Sequence, residues 1–188
     1  MIDAFEQLGL LRRLDLAEDA LRTAFREMGK RLHPDAGGSE ADFVKLQEAF
    51  GLLSSPSRRL KHWLVLQEIP GDERGSISSG IMDLFSEVGT VLQRGDSLAR
   101  KRADARSALA RAMLENETQT CREDVERMIA VVDGKIAEQT ASFADFDSMA
   151  LPPESAWITV RDLAFLEKWR IKLRQCFFEF GVSRRSKK

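Results

Sequence analysis

Leu21-Arg22-Thr23-Ala24-Phe25-Arg26-Glu27-Met28-Gly29-Lys30-Arg31-Leu32-His33-Pro34-Asp35 is the stretch whose reading decides the fold. Leu21, Phe25, Met28 and Leu32 recur at steps of four, three and four, the spacing of one buried stripe on an α-helix. Arg22, Arg26 and Lys30 follow a four-residue step about a quarter-turn away, with Arg31 beside them, and form an exposed basic ridge. Glu27 is the single acid between residues 20 and 32, so four cations face one carboxylate there. The helix stops at His33, because a residue before proline is pushed away from helical dihedrals.

Upstream, a short helix covers about residues 3–9 and ends at Gly9. Asp15 is placed to cap the next helix, with Glu18 three residues on answering it in a capping box. Downstream, Ala36-Gly37-Gly38-Ser39 reads as a flexible loop, and Ser39 or Glu40 opens a third helix. Phe43, Leu46, Phe50 and Leu53 mark one face of it until Ser54-Ser55-Pro56. Two antiparallel helices joined at the His33-Pro34-Asp35 tip are the natural packing of these stripes. A fourth helix carries Leu60, Trp63 and Leu64 from Ser57 to about Gln67.

Proline, glycine and serine then gather in Ile69-Pro70-Gly71-Asp72-Glu73-Arg74-Gly75-Ser76, as they do in linkers. Beyond it lie three long helical patterns, 77–115 with a weak point at Gly95-Asp96, 117–146 and 154–180. Turn signals at Asn116 and Leu151-Pro152-Pro153 separate them into a small antiparallel bundle. No run of alternating β-branched residues interrupts the pattern. The expected architecture is all-α: a helical-hairpin domain over 1–68, a linker at 69–77, a three-helix bundle over 78–182 and a basic tail at 183–188.

Composition narrows the function. With 43% hydrophobic residues in 188, the chain is too apolar to be disordered and has enough for one good core or two small ones. Twenty-nine basic and 30 acidic side chains leave a net charge of −1, which excludes binding of nucleic acid or an anionic membrane by bulk attraction. Any electrostatic function therefore lies in a local patch. Cys121, Cys176, His33 and His62 lack the spacing of a zinc site, and the two cysteines are read as reduced thiols. No phosphate-binding loop, dinucleotide fingerprint or hydrolase elbow appears, so no cofactor is expected. The start lacks a signal-peptide pattern and no stretch approaches the ~18 apolar residues of a membrane span, which makes cytoplasm the expected compartment.

The motifs occur in a telling order: Phe5-x-x-Leu8-Gly9, the basic second helix, His33-Pro34-Asp35, then Ala49-Phe50, Leu52-Leu53 and Ser55-Pro56-x-Arg58-Arg59. Over residues 3–66 this resembles the J-domain of the DnaJ co-chaperones. The resemblance implies docking on a DnaK-type chaperone and stimulation of its ATP hydrolysis. His33, Pro34 and Asp35 would be the triggering residues, and Arg22, Arg26, Lys30 and Arg31 the docking ridge. A catalytic role for His33 and Asp35 is disfavoured because no serine or cysteine nucleophile accompanies them, so no enzyme is expected.

The glycine/phenylalanine-rich stretch and Cys-x-x-Cys-x-Gly-x-Gly modules of general-purpose DnaJ proteins are absent. A helical domain follows the linker instead, and with Val160-Arg161-x-Leu163-x-Phe165-Leu166-x-Lys168 it resembles the HscB family of iron–sulfur cluster assembly co-chaperones. That resemblance implies an HscA-type chaperone and, as client, the cluster scaffold protein. The family's client-binding positions match Ile81, Met82, Phe85 and Phe165, with Ser86 and Gly89 where the family has acids. From the residues alone, Ile81, Met82, Leu84, Phe85 and Val88 are more apolar residues than one stripe needs. They either leave an exposed patch or close the bundle core, the latter also suiting Trp157, Phe165 and Trp169. The alternative function is a J-like regulatory protein that recruits a chaperone to another client.

Overall fold

A computed structural model describes residues 2–33, 35, 37–152 and 155–181; Pro34 and the basic tail lie outside the described residues. Among these residues there are helices and no strands, as the periodicity predicts. The first helix, α1 (Ala4–Gln7), is opened by Asp3, whose carboxylate accepts the Phe5 N–H at 2.9 Å and the Glu6 N–H at 3.4 Å. It closes on Gly9 at φ +65°, where the Leu10 N–H reaches the Phe5 carbonyl in a Schellman turn.

The second helix, α2 (Glu18–Leu32), starts later than the capping-box reading. Ala17 is its N-cap, with no side-chain bond. The Asp15 N–H donates instead to the Asp147 carboxylate at 3.0 Å, and residue 15 stays outside the helix. The apolar stripe faces inward but is only partly covered: Leu21 is buried, Phe25, Met28 and Leu32 are half-buried, and Phe25 stacks on Phe50 with ring centroids 4.4 Å apart. Phe50 lies on α3 (Glu40–Leu53), which begins after Ser39 and buries Leu46, Ala49 and Leu53. Next, α4 (Pro56–Leu66) carries proline at its first turn, and the Ser55 hydroxyl accepts the Arg58 N–H at 3.3 Å. Leu60, Trp63 and Leu64 are buried from it, each such side chain contributing about 1.5–3 kcal/mol. Its end is a second Schellman turn, with Glu68 at φ +56° taking the place glycine has after α1.

The remaining helices are α5 (Ser79–Asp104), α6 (Ala108–Met113), α7 (Glu115–Ala141), α8 (Phe143–Asp147) and α9 (Ala156–Gly181). The described chain groups into two compact units. Met1–Ser76 and Glu138–Ala164 make the first, Ile77–Ala137 and Phe165–Lys188 the second. The membership of Glu138–Ala164 differs from the sequence reading, which counts it with the C-terminal bundle. Its anchors are polar and distant in sequence. Asp147 accepts the Leu14 N–H at 2.8 and 2.9 Å, and Arg59 donates to the Leu14 and Leu16 carbonyls at 3.1 and 3.2 Å. The Arg59 guanidinium also lies 5.6 Å from the ring centroid of buried Phe143. Arg161, in the same unit, holds the end of the 69–76 stretch through the Asp72 carbonyl and, at 2.6 Å, the Ser76 carbonyl.

In the second unit, the expected weak point at Gly95-Asp96 is not a break, and α5 runs through it. A Cβ at residue 95 would meet the Cys176 sulfur at 2.4 Å, so glycine there serves close helix packing rather than a turn. The break falls at residues 105–107, where the Ser107 hydroxyl accepts the Ala110 N–H at 3.0 Å and starts α6. Val88, Leu98, Cys121, Val125, Val132, Leu166 and Leu173 fill the core. Both cysteines are free; burial raises their thiol pKa values, that of Cys176 to about 12. Among the described residues no group of acidic, histidine or cysteine side chains could hold a metal, and no helix is long and apolar enough to cross a membrane.

Candidate functional site

His33 ends α2 with extended backbone (φ −64°, ψ 135°), while its N–H still donates to the Gly29 carbonyl at 2.9 Å. Its imidazole Nδ1 accepts the Asp35 N–H at 3.2 Å, which in the neutral ring places the proton on Nε2. Asp35 stands 91% exposed, one carboxylate oxygen 3.6 Å from Nδ1. The His33 carbonyl receives the Gly38 N–H at 3.0 Å and closes the loop back on the helix end. Only glycine fits at 38, because a Cβ there would lie 2.2 Å from the Leu32 carbonyl oxygen. Sequence reasoning reads 36–39 as flexible; the described part is a tight return. Phe43 on α3 packs edge-on to His33 at 5.1 Å and 74°, a supporting contact hidden behind its reading as core.

The ridge is as exposed as its spacing predicts: Arg22, Arg26, Lys30 and Arg31 all face solvent. Two of the four are tied within the helix. Arg22 pairs with Glu18, Nε to Oε1 at 3.1 Å, and Lys30 pairs with Glu27 at 2.7 Å. The Lys30 hydrogen bond and charge hold the Glu27 carboxyl below its ordinary range. Among the described residues Arg26 donates to the Thr23 hydroxyl alone, at 3.2 Å. The outward positive field therefore comes chiefly from Arg26 and Arg31, a distinction the sequence count does not make.

The second group divides. Ile81 is 2% exposed and belongs to the core of the second unit, which removes it as a surface contact. Met82, Phe85 and Phe165 are 58%, 55% and 37% exposed. Phe85 and Phe165 each sit 5.9 Å from the Trp169 ring, centroid to centroid, so buried Trp169 is the floor of an apolar patch. Sequence reasoning treats Trp169 as core; its place four residues after Phe165 on one helix face is the signal that ties it to the patch.

No family model matches the chain. It is 42% identical over 60 residues to the chaperone protein DnaJ of Lacticaseibacillus casei, covering 30% of this chain and 15% of that one. It is 40% identical over 60 residues to the tetratricopeptide repeat and J domain-containing co-chaperone DNJ1 of Cryptococcus neoformans var. grubii, covering 32% and 11%. The matched stretch is thus a small part of each relative. The chaperone HscB from Vibrio cholerae shares the fold over 93% of this chain and 96% of its own, with a TM-score of 0.53 and 22% identity. Over about 60 residues the chain is similar in sequence to these two co-chaperones, and its described residues are all-α. Its fold as a whole is HscB-like.

Proposed function

We propose that this chain is a co-chaperone that docks on a DnaK/HscA-type chaperone through the α2 ridge and the His33-Pro34-Asp35 loop. It stimulates ATP hydrolysis there and performs no catalysis itself. The observation that carries the reading is the pairing of an exposed cationic helix face with a loop whose imidazole is tied to the Asp35 backbone N–H and whose carboxylate stands open to solvent. Cations on a rigid helix steer encounter with an acidic partner, and the closed loop lowers the entropy lost on docking. The client is the iron–sulfur cluster scaffold protein, taken up at Met82, Phe85 and Phe165. The HscB-like fold supports that reading, and the exposure of the three side chains makes them accessible to a partner.

A single-turnover ATPase assay with the cognate chaperone tests the first half. His33→Gln is expected to lower stimulation at least about tenfold, equivalent to ~1.4 kcal/mol of lost coupling, with the thermal melt unchanged because the side chain is half exposed. Full stimulation by the variant would refute the assignment. The scaffold titration described below tests the second half, and failure of the wild-type chain to bind it would point to a different client.

A further inference from the structure

In the second unit, α9 buries Leu166, Trp169, Leu173, Cys176 and Phe180 on one side. Opposite them, Lys168, Ile171, Gln175 and Phe178 follow at steps of three, four and three, and all four are exposed. Ile171 is 57% and Phe178 65% exposed, two turns apart along the middle of the face that meets water. One exposed apolar side chain is ordinary on a protein surface. Two in register, within a strong excess of one charge, call for a physical reason.

That excess is large. Residues 168–188 hold eight lysines and arginines and a single acid, Glu179, in a chain whose net charge is −1. Arg170 and Arg174 are committed to Asp133, at 3.6 and 3.3 Å. Lys168 and Lys172 are exposed and pair with no carboxylate among the described residues. The sequence adds Arg184, Arg185, Lys187 and Lys188 in the tail. Cations require an anionic counterpart, while Ile171 and Phe178 require an apolar layer at the same place. A helix face is convex and offers a peptide's side chains no pocket. A nucleic-acid backbone answers the lysines but gives Ile171 nothing apolar to enter. The surface of an anionic bilayer supplies both, with negative headgroups outermost and acyl chains just beneath.

We propose that this face of α9, together with the cations of the tail, docks on an anionic lipid surface. Ile171 and Phe178 enter the headgroup layer, and Lys168 and Lys172 meet the lipid phosphates beside them. The face shares no residue with the α2 ridge, the His33 loop or the apolar patch, so it stands apart from the co-chaperone reading.

The test is co-sedimentation of the full chain with extruded vesicles, either phosphatidylcholine alone or equal parts phosphatidylcholine and phosphatidylglycerol. The chain is expected to pellet with the anionic vesicles, to stay in the supernatant with the neutral ones, and to be released as sodium chloride is raised. Lys168→Gln and Lys172→Gln should each weaken binding about fivefold, and removal of residues 184–188 should weaken it further. Ile171→Ser combined with Phe178→Ser should weaken it about tenfold. All these side chains are exposed or lie in the tail, so thermal melts should match wild type. No pelleting with anionic vesicles, equal pelleting with neutral ones, or unchanged binding in the lysine variants, the Ile171/Phe178 variant or the shortened chain would overturn the proposal. Tighter binding of a single-stranded oligonucleotide or of polyglutamate than of the anionic vesicles would overturn it in favour of that partner.

Discussion

The ridge on α2 and the patch formed by Met82, Phe85 and Phe165 are both exposed, but for opposite physical reasons. Arg22, Arg26, Lys30 and Arg31 face water because burying an unpaired cation is costly, so their exposure follows from residue type and helical spacing. Met82 and Phe85 face water although their chemistry favours burial, and their neighbour Ile81 obeys that chemistry. A charged surface is set locally. An apolar surface is what remains after the core has been filled, and only packing reveals it.

The sharpest way to break this contrast is to truncate adjacent residues of α5. Ile81→Ala removes a fully buried side chain and should destabilise the protein by about 2–5 kcal/mol, read from urea denaturation. Met82→Ala, one residue on, should change stability by no more than ~0.5 kcal/mol. Equal costs at the two positions would mean that Met82 is not free for a partner.

Binding should reverse that order. In a calorimetric titration of the scaffold protein into the full chain, Phe85→Ala and Phe165→Ala should each weaken affinity about tenfold, as truncation of an aromatic anchor does at an interface centre. Each should cost less stability than Ile81→Ala, Phe85 the least because it is 55% exposed and Phe165 more because it is 37% exposed and packed on Trp169. A loss of affinity that tracks a loss of stability would place these residues in the core after all.

The same contrast explains what could be read from the chain. The helix stripes, the stop at His33 and the ridge were legible because each rests on spacing within one helix and on a local rule about proline or charge. Three features were not. Gly95 looks like a weak point until the Cys176 sulfur on α9 is seen against it, a contact 81 residues away in sequence that no local window contains. The packing of α8 within the first unit rests on contacts distant in sequence, the Asp147 carboxylate reaching the amides of Leu14 and Asp15 and buried Phe143 lying against Arg59. Ile81 and Met82 are both apolar, so the choice of which is buried follows from the orientation of α5 and not from residue class.

Within the ridge the differences are smaller. Glu18 and Glu27 hold Arg22 and Lys30 in intrahelical pairs whose worth is only ~0.2–0.5 kcal/mol each. Glu27→Gln should therefore tighten chaperone docking about two- to threefold by releasing Lys30, whereas Arg26→Ala should loosen it by a similar factor. Both effects should shrink as ionic strength rises, because all four cations are solvent-exposed. Affinities measured at low and high salt check this, and a salt-independent effect of Arg26→Ala would show that its contribution is packing rather than charge.

The smallest effect concerns the second histidine, which contrasts with His33 in being buried. His62 Nε2 accepts the Ala4 N–H at 3.0 Å, and its ring stacks on Phe5 at 5.9 Å. Only an unprotonated Nε2 can accept that bond, so the folded protein holds the neutral ring. Burial pushes its pKa below 6.5, opposed in part by the Asp3 carboxylate and reinforced by Arg12. Above pH 6.5 the folded and unfolded chains both carry neutral histidine here, and the full stability is present. As pH falls through 6.5 the unfolded chain takes up the proton first, so stability is lost progressively until the lower folded pKa is reached. Denaturation of wild type and His62→Gln at pH 8 and pH 5.5 isolates the term. The glutamine amide oxygen can still accept the Ala4 N–H but does not titrate, so the variant should lose less stability between the two pH values. An equal loss in both proteins would assign the acid sensitivity to other groups and leave His62 as a packing residue alone.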